Sequence, residues 1–140
     1  MRLDPAEARQ RFTDSRVLCL ATVGADGQPH IVPCTFAVDA PGRIVIGIDN
    51  KPKVSANLRR LANIAGSPRV SLLADCYSDD WEQLWWARAD GVATIERAGL
   101  EHAAHWQLLR ARYPQYAGQV LDGPVIVVAV STWSGWAFAG

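Results

Sequence analysis

The sequence predicts a mainly β fold, an antiparallel barrel carrying a few peripheral helices. Short runs rich in β-branched and apolar residues recur along the chain, and turn signals such as "GADGQ" and "DAPG" separate them. Strand and helix do not alternate regularly, which argues against a doubly wound parallel sheet. About six or seven strands and two or three helices are expected, in one domain spanning residues 1–140.

The elements follow in order. "DPAEARQRF" places Asp4 as N-cap, Pro5 at the first helical position and Glu7 three residues after the cap, so a helix should run to about Phe12. Residues 16–23, 29–38 and 43–49 read as a three-strand meander, their hydrophobic runs divided by the two turns. "VSANLRRLANI" has a helical period that places Leu58, Leu61 and Ala62 on one side and Arg59 and Arg60 toward solvent, and "SPRVSLLADC" returns to a strand. "LWWARADGVATI" is a long strand with a bulge or bend expected at Gly91, and "AGLEHAAHWQLLRARYP" is a helix ended by Pro114. The closing "GPVIVVAVSTWSGWAF" predicts one fully buried strand, then a last strand after a "TWSG" turn.

Composition narrows the function classes. Nearly half of the residues (49%) are hydrophobic, the net charge is zero and the pI is about 6.8, which argues against disorder and against a polyanion-coating surface. The longest apolar run, Val125 to Val130, is far short of the roughly 20 residues of a membrane span, and the N-terminus lacks the order of a signal peptide. A cytoplasmic protein is expected. Cys19, Cys34 and Cys76 are odd in number and widely spaced, so they read as small buried residues and not as a disulfide or zinc framework.

Local charge is more informative. From Asn50 to Ala74 the chain carries Lys51, Lys53, Arg59, Arg60 and Arg69 with no acid, whereas Asp75 to Glu82 carries Asp75, Asp79, Asp80 and Glu82 with no base. The only two lysines of the chain thus flank Pro52, ahead of a helix. Cations at a helix N-terminus oppose the macrodipole by roughly 0.3 to 1 kcal/mol, a cost that an arriving anion removes. A phosphate or carboxylate site is one reading; a blunted sheet edge followed by a solvated helix face is the other.

Weaker signals exclude more than they indicate. His102 and His105 share a helical face at a spacing that can hold a metal, but no third ligand is near in sequence and a surface helix is expected. His30 is expected to be exposed, no GxSxG nucleophile motif occurs, and no glycine-rich phosphate loop follows a strand. Six tryptophans are present, three of them in "DDWEQLWWARADG". Strand alternation sends Trp85 and Trp86 to opposite faces, one into the core and the other toward a ligand or a partner subunit.

These stretches together resemble a family. "RVLCLATVGADGQPHIVPCTFAV", "DNKPK", "DDWEQLWWARADG" and the terminal "WSGWAF" are similar to the flavin and deazaflavin split-barrel proteins related to pyridoxamine phosphate oxidase, above all the small actinobacterial type that uses coenzyme F420. The resemblance implies an FMN-binding-like split β-barrel, a homodimer with cofactor sites between its subunits, and hydride transfer between C5 of the reduced deazaflavin and a small organic substrate. It places the ring against the strand holding Ile31 to Thr35, so that Pro33, Cys34 and Thr35 line it, with Trp85 and Trp86 as further candidates. It places the phosphate on Lys51, Lys53 and Arg60, with Arg59 and Asn63 beside them. No catalytic side chain is assigned; water or Tyr77 would deliver a proton. FMN is the alternative cofactor. A non-enzymatic barrel binding a coenzyme or single-stranded nucleic acid is a further alternative, against which the neutral charge argues.

Overall fold

The computed structural model describes residues 1–48 and 55–139, with the side chains of residues 55–58 excepted. Helix α1 (Pro5–Asp14) opens the chain; the Glu7 amide donates to Asp4 Oδ1 at 2.8 Å, as the capping pattern requires. Strands β1 (Leu18–Val23), β2 (Pro29–Cys34), β3 (Ala37–Val38) and β4 (Ile44–Gly47) follow, then helix α2 (Ser55–Gly66). Strands β5 (Arg69–Cys76) and β6 (Trp85–Glu96), helix α3 (Leu100–Arg112) and strand β7 (Val125–Ala137) complete the order. Short 3-10 turns at Trp81–Gln83 and Pro114–Tyr116 connect them.

The strands form one antiparallel sheet in the order β2-β1-β5-β6-β7-β4-β3, curled into the split barrel that was expected. Its inner face carries Leu18, Leu20, Ile44, Ile46, Leu72, Ala87, Ala89, Ile126 and Val128, all buried. Helix α1 plugs one end: Phe12 meets Phe36 and Trp133 edge to face at 5.3 and 5.1 Å, contacts worth roughly 0.5 to 1.5 kcal/mol each beyond area burial. Among the described residues no helix is long and apolar enough to cross a membrane.

Two elements depart from the sequence expectation. Residues 29–38 are not one strand of a meander: the chain breaks at Thr35–Phe36, leaving β2 on β1 and β3 on β4, at opposite edges of the sheet. Long-range bonds hold the break, because the Phe36 amide donates to Tyr113 Oη at 3.1 Å and Arg112 Nη1 donates to the Phe36 carbonyl at 3.0 Å. Arg112 also lies over the Phe36 ring, 4.6 Å from its centroid. The terminal segment, in turn, contains no turn at "TWSG" and is one continuous strand of 13 residues. The irregularity expected at Gly91 is present: Asp90 pairs Thr132 and Gly91 pairs Val130, so the extra residue is Ser131 on β7.

Helix α3 also differs from the expected surface helix. His102 and His105 are both buried, and the His102 ring lies 2.7 Å from the Gly123 carbonyl. His105 lies between two carboxylates, with Nδ1 2.7 Å from Glu96 Oε1 and Nε2 3.0 Å from Asp39 Oδ2. Arg43 joins the network through Asp39 at 2.8 Å and Glu101 at 3.3 Å. Burial pushes the Asp39 carboxyl up, but bonds from the Arg43 amide, His105 and the Arg43 guanidinium outweigh it and hold the group below the usual carboxylate range.

A depressed folded value fixes the direction of the pH dependence. Stability contributed by Asp39 is complete above its unfolded value of about 3.9 and is lost as pH falls through the lower folded value. Asp39→Asn should therefore destabilise the protein by about 2 to 3 kcal/mol at neutral pH, and its difference from wild type should begin to narrow below roughly pH 4 and close as pH falls through the lower folded value. Urea unfolding at pH 7 and pH 3 measures both; a difference that ignores pH would show that the ionised carboxylate is not the stabilising group.

Candidate functional site

The break after β2 opens a cleft. Pro33, Cys34 and Thr35 form one wall, Ile46, Gly47 and Ile48 the floor, and Arg60 and Tyr116 the remaining sides, around a volume of about 190 Å³. Each wall has a local cause. Pro33 suits an edge strand, since it offers no ladder donor, and β2 is an edge. Gly47 carries no side chain where a Cβ would lie 2.4 Å from the Trp106 ring, so glycine alone lets α3 pack beneath the floor.

Arg60 is the charged residue of the cleft. The helical period of α2 placed it toward solvent, yet it is partly buried and its Nη1 donates to Cys34 Sγ at 3.1 Å. Burial raises the Cys34 thiol above its ordinary value, against the opposing pull of the guanidinium, so the sulfur stays protonated at neutral pH. Across the cleft, Thr35 Oγ1 and Tyr116 Oη lie 2.9 Å apart.

Of the residues singled out from sequence, the fold brings Pro33, Cys34, Thr35 and Arg60 together. Arg59 is exposed on α2. The Asn63 amide donates to Thr22 Oγ1 at 3.0 Å, pinning α2 to the inner face of β1. Ala62, expected on the apolar side of α2, is exposed, while Leu61 packs against the core and Ile64 is buried within it. Lys51 and Lys53 lie outside the described residues. Trp85 and Trp86 do alternate: Trp85 packs against the core, while Trp86 points outward beneath Arg88, whose guanidinium carbon is 5.9 Å from its ring centroid. Both line a second recess on β5 and β6, away from the cleft.

Tyr116 was not legible as a site residue, because it reaches the cleft only through the 3-10 turn after α3. The exposed lining of the cleft is mainly polar, because Ile46 and Ile48 are buried, and a group entering it would meet two hydroxyls and a guanidinium suited to an anion. The residues present therefore fit the anionic part of a cofactor.

Similarities to known proteins bear on the fold. A conserved hypothetical protein, Rv2991 from Mycobacterium tuberculosis, superposes with a TM-score of 0.74 at 24% identity, covering 96% of this chain and 85% of that one. A FAD-binding protein from Mesorhizobium loti gives 0.68 at 20% identity, with 96% and 93% covered. A heme-binding protein from Mycobacterium smegmatis gives 0.71 at 24% identity, with 96% of this chain but 53% of that one covered. At these identities the likeness is one of fold. No curated protein sequence matches the chain. The sequence pattern of pyridoxamine 5'-phosphate oxidase matches residues 4–137, nearly the whole chain, and the chain therefore belongs to that family.

Proposed function

We propose that the chain binds the deazaflavin coenzyme F420 in the cleft between β2, β4 and α2 and acts as an oxidoreductase on a small organic substrate. The observation that carries this reading is Arg60, turned from α2 onto Cys34 at the wall of the cleft, beside Thr35 and Tyr116. Lys51 and Lys53 follow Ile48, which lines the cleft, by three and five positions in the sequence. F420 carries a phosphodiester and a glutamate tail, and a guanidinium with two flexible ammonium groups suits several anions better than it suits one.

When bound, the coenzyme supplies the hydride chemistry. The chain's own work is placement: Pro33 backs the group on the β2 side, the Thr35–Tyr116 pair offers a donor and an acceptor, and Arg60 holds negative charge. Tyr116 is the phenol in the cleft, whereas Tyr77, considered from sequence, stands on the other recess.

A homodimer belongs to this reading. The cleft falls below the roughly 300 Å³ of ordinary small-molecule sites, so a second wall is needed to enclose a ring. Ile31, 64% exposed on the outer face of β2, and the exposed Val23 on the adjoining strand β1 offer an apolar contact for a second copy. FMN in the same cleft is the runner-up, favoured by the fold shared with the FAD-binding protein from M. loti.

Fluorescence titration of both cofactors at two salt concentrations separates the readings. F420 should bind at least about tenfold tighter than FMN, and the gap should narrow with salt as exposed charge contacts are screened. Sedimentation should give twice the 15.3 kDa chain mass. A protein that purifies yellow with FMN and ignores the deazaflavin would promote FMN; a monomer that binds either tightly would remove the dimer.

A further inference from the structure

We propose that the recess on the outer face of β5 and β6 is a binding site for a small organic cation, of the quaternary ammonium or N-alkylated aromatic class. It is separate from the cleft and does not depend on which cofactor the cleft takes. Leu73, Tyr77, Leu84, Trp85 and Trp86 wall it, with Asp75 and Arg88 at its margin, around about 340 Å³, a volume suited to one small ring molecule.

The sign of the ligand follows from which charge is already met. Arg88 Nε lies 3.2 Å from Asp90 Oδ2, and its guanidinium covers the Trp86 ring, so its positive charge is answered within the sheet. Asp75 sits opposite Trp86 in the β5–β6 register, and among the described residues its carboxylate has neither an ion-pair nor a hydrogen-bond partner. The following loop adds Asp79, Asp80 and Glu82 and no base. A free carboxylate beside the exposed Tyr77 phenol, whose quadrupole also favours positive charge, and the apolar Leu73 and Leu84 selects a cation with an apolar surface.

The aromatic character continues past the recess. Trp81 and Phe138 meet at 6.2 Å and Trp136 and Phe138 at 6.5 Å, and Tyr77 and Trp81 are 79% and 60% exposed. Such a patch is larger than isolated surface hydrophobics require. A macromolecular partner would use its full breadth, whereas a small cation would use only the recess and the Asp75 carboxylate at its margin.

Tryptophan fluorescence and calorimetry with benzyltrimethylammonium, benzyl alcohol and benzoate test the assignment on the intact protein. The cation should bind, the alcohol should bind at least about fivefold more weakly, and benzoate should not compete, as expected for a cation–π site with a carboxylate. Asp75→Asn, an exposed and isosteric change, should weaken the cation by about fivefold and leave the alcohol unaffected; Tyr77→Ala, also at an exposed position, should weaken both. Absent binding, tighter binding of benzoate, or an unchanged affinity in Asp75→Asn would overturn the proposal. So would an oligolysine peptide that binds where benzyltrimethylammonium does not, which would point to a macromolecular partner. Cofactor titration of Asp75→Asn should match wild type, so failure here leaves the reading of the cleft standing.

Discussion

Gly91→Ala should destabilise the protein by about 3 kcal/mol or more, the upper range for overpacking at a site that cannot relax. A Cβ at this position would lie 2.3 Å from the Ala129 carbonyl oxygen and 3.0 Å from Val128 Cγ1. The first neighbour is backbone of β7, which cannot yield without opening the β6–β7 ladder next to its bulge. That ladder runs from Trp85↔Ala137 to Glu96↔Val125 and joins the two halves of the sheet. Gly66→Ala is the control, because nothing lies within 4 Å of its Cβ position and the change also restricts the unfolded chain, so it should be neutral or stabilising by up to about 1 kcal/mol. Urea unfolding of the two variants beside wild type gives the comparison.

Arg60→Glu should weaken cofactor binding by about 3 kcal/mol, more than a hundredfold in Kd, since it removes a charge-assisted contact and places a like charge against the anion. Arg60→Lys should recover part of the loss, because it restores the charge without the planar fork. Arg59→Glu, one residue earlier on the exposed side of α2, should change Kd by no more than about threefold through the general field alone. Calorimetric titration of the three variants, with urea midpoints to confirm folding, separates contact from field. Equal losses in Arg59→Glu and Arg60→Glu would mean that the guanidinium on Cys34 is not a ligand.

The parts of the fold legible in the sequence are those with local causes. Asp4, Pro5 and Glu7 fix the start of α1 through one capping bond, and Gly91 marks the position of the β6–β7 irregularity, although the extra residue is Ser131 on β7. The parts that were not legible depend on distant residues. Thr35–Phe36 breaks a run that looks continuous because Arg112 and Tyr113, more than seventy positions away, take up its backbone groups. Gly135 looks like a turn residue beside Ser134, but a Cβ there would meet the Trp86 carbonyl at 2.8 Å and Leu3 and Ala8 at 3.1 and 3.2 Å. Its role is to let α1 and β6 approach the strand. His102 and His105 share the spacing of a surface pair, and only the fold shows that Gly123, Glu96 and Asp39 converge on them.

The candidate site divides in the same way. Pro33, Cys34 and Thr35 are contiguous and fall at a strand end, so a sequence reading finds them together. Arg60 was singled out for its charge, although a helical wheel sends it outward; its inward turn depends on the edge strand beside α2. Tyr116 gave no signal, because a tyrosine after "RARYPQ" has no periodicity to place it and its bond to Thr35 spans 81 positions.

Backbone amide shifts of the isotope-labelled protein, followed by NMR as F420 is added, locate the cofactor without reliance on any variant. If the cleft holds it, the perturbations concentrate at Cys34, Thr35, Gly47, Ile48, Arg60 and Tyr116, and the amides around Trp86 and Asp75 stay within the spread of the remaining core. Saturable binding whose shifts gather on the β5–β6 face while Thr35, Gly47 and Arg60 remain unmoved would contradict the placement of the cofactor in this cleft.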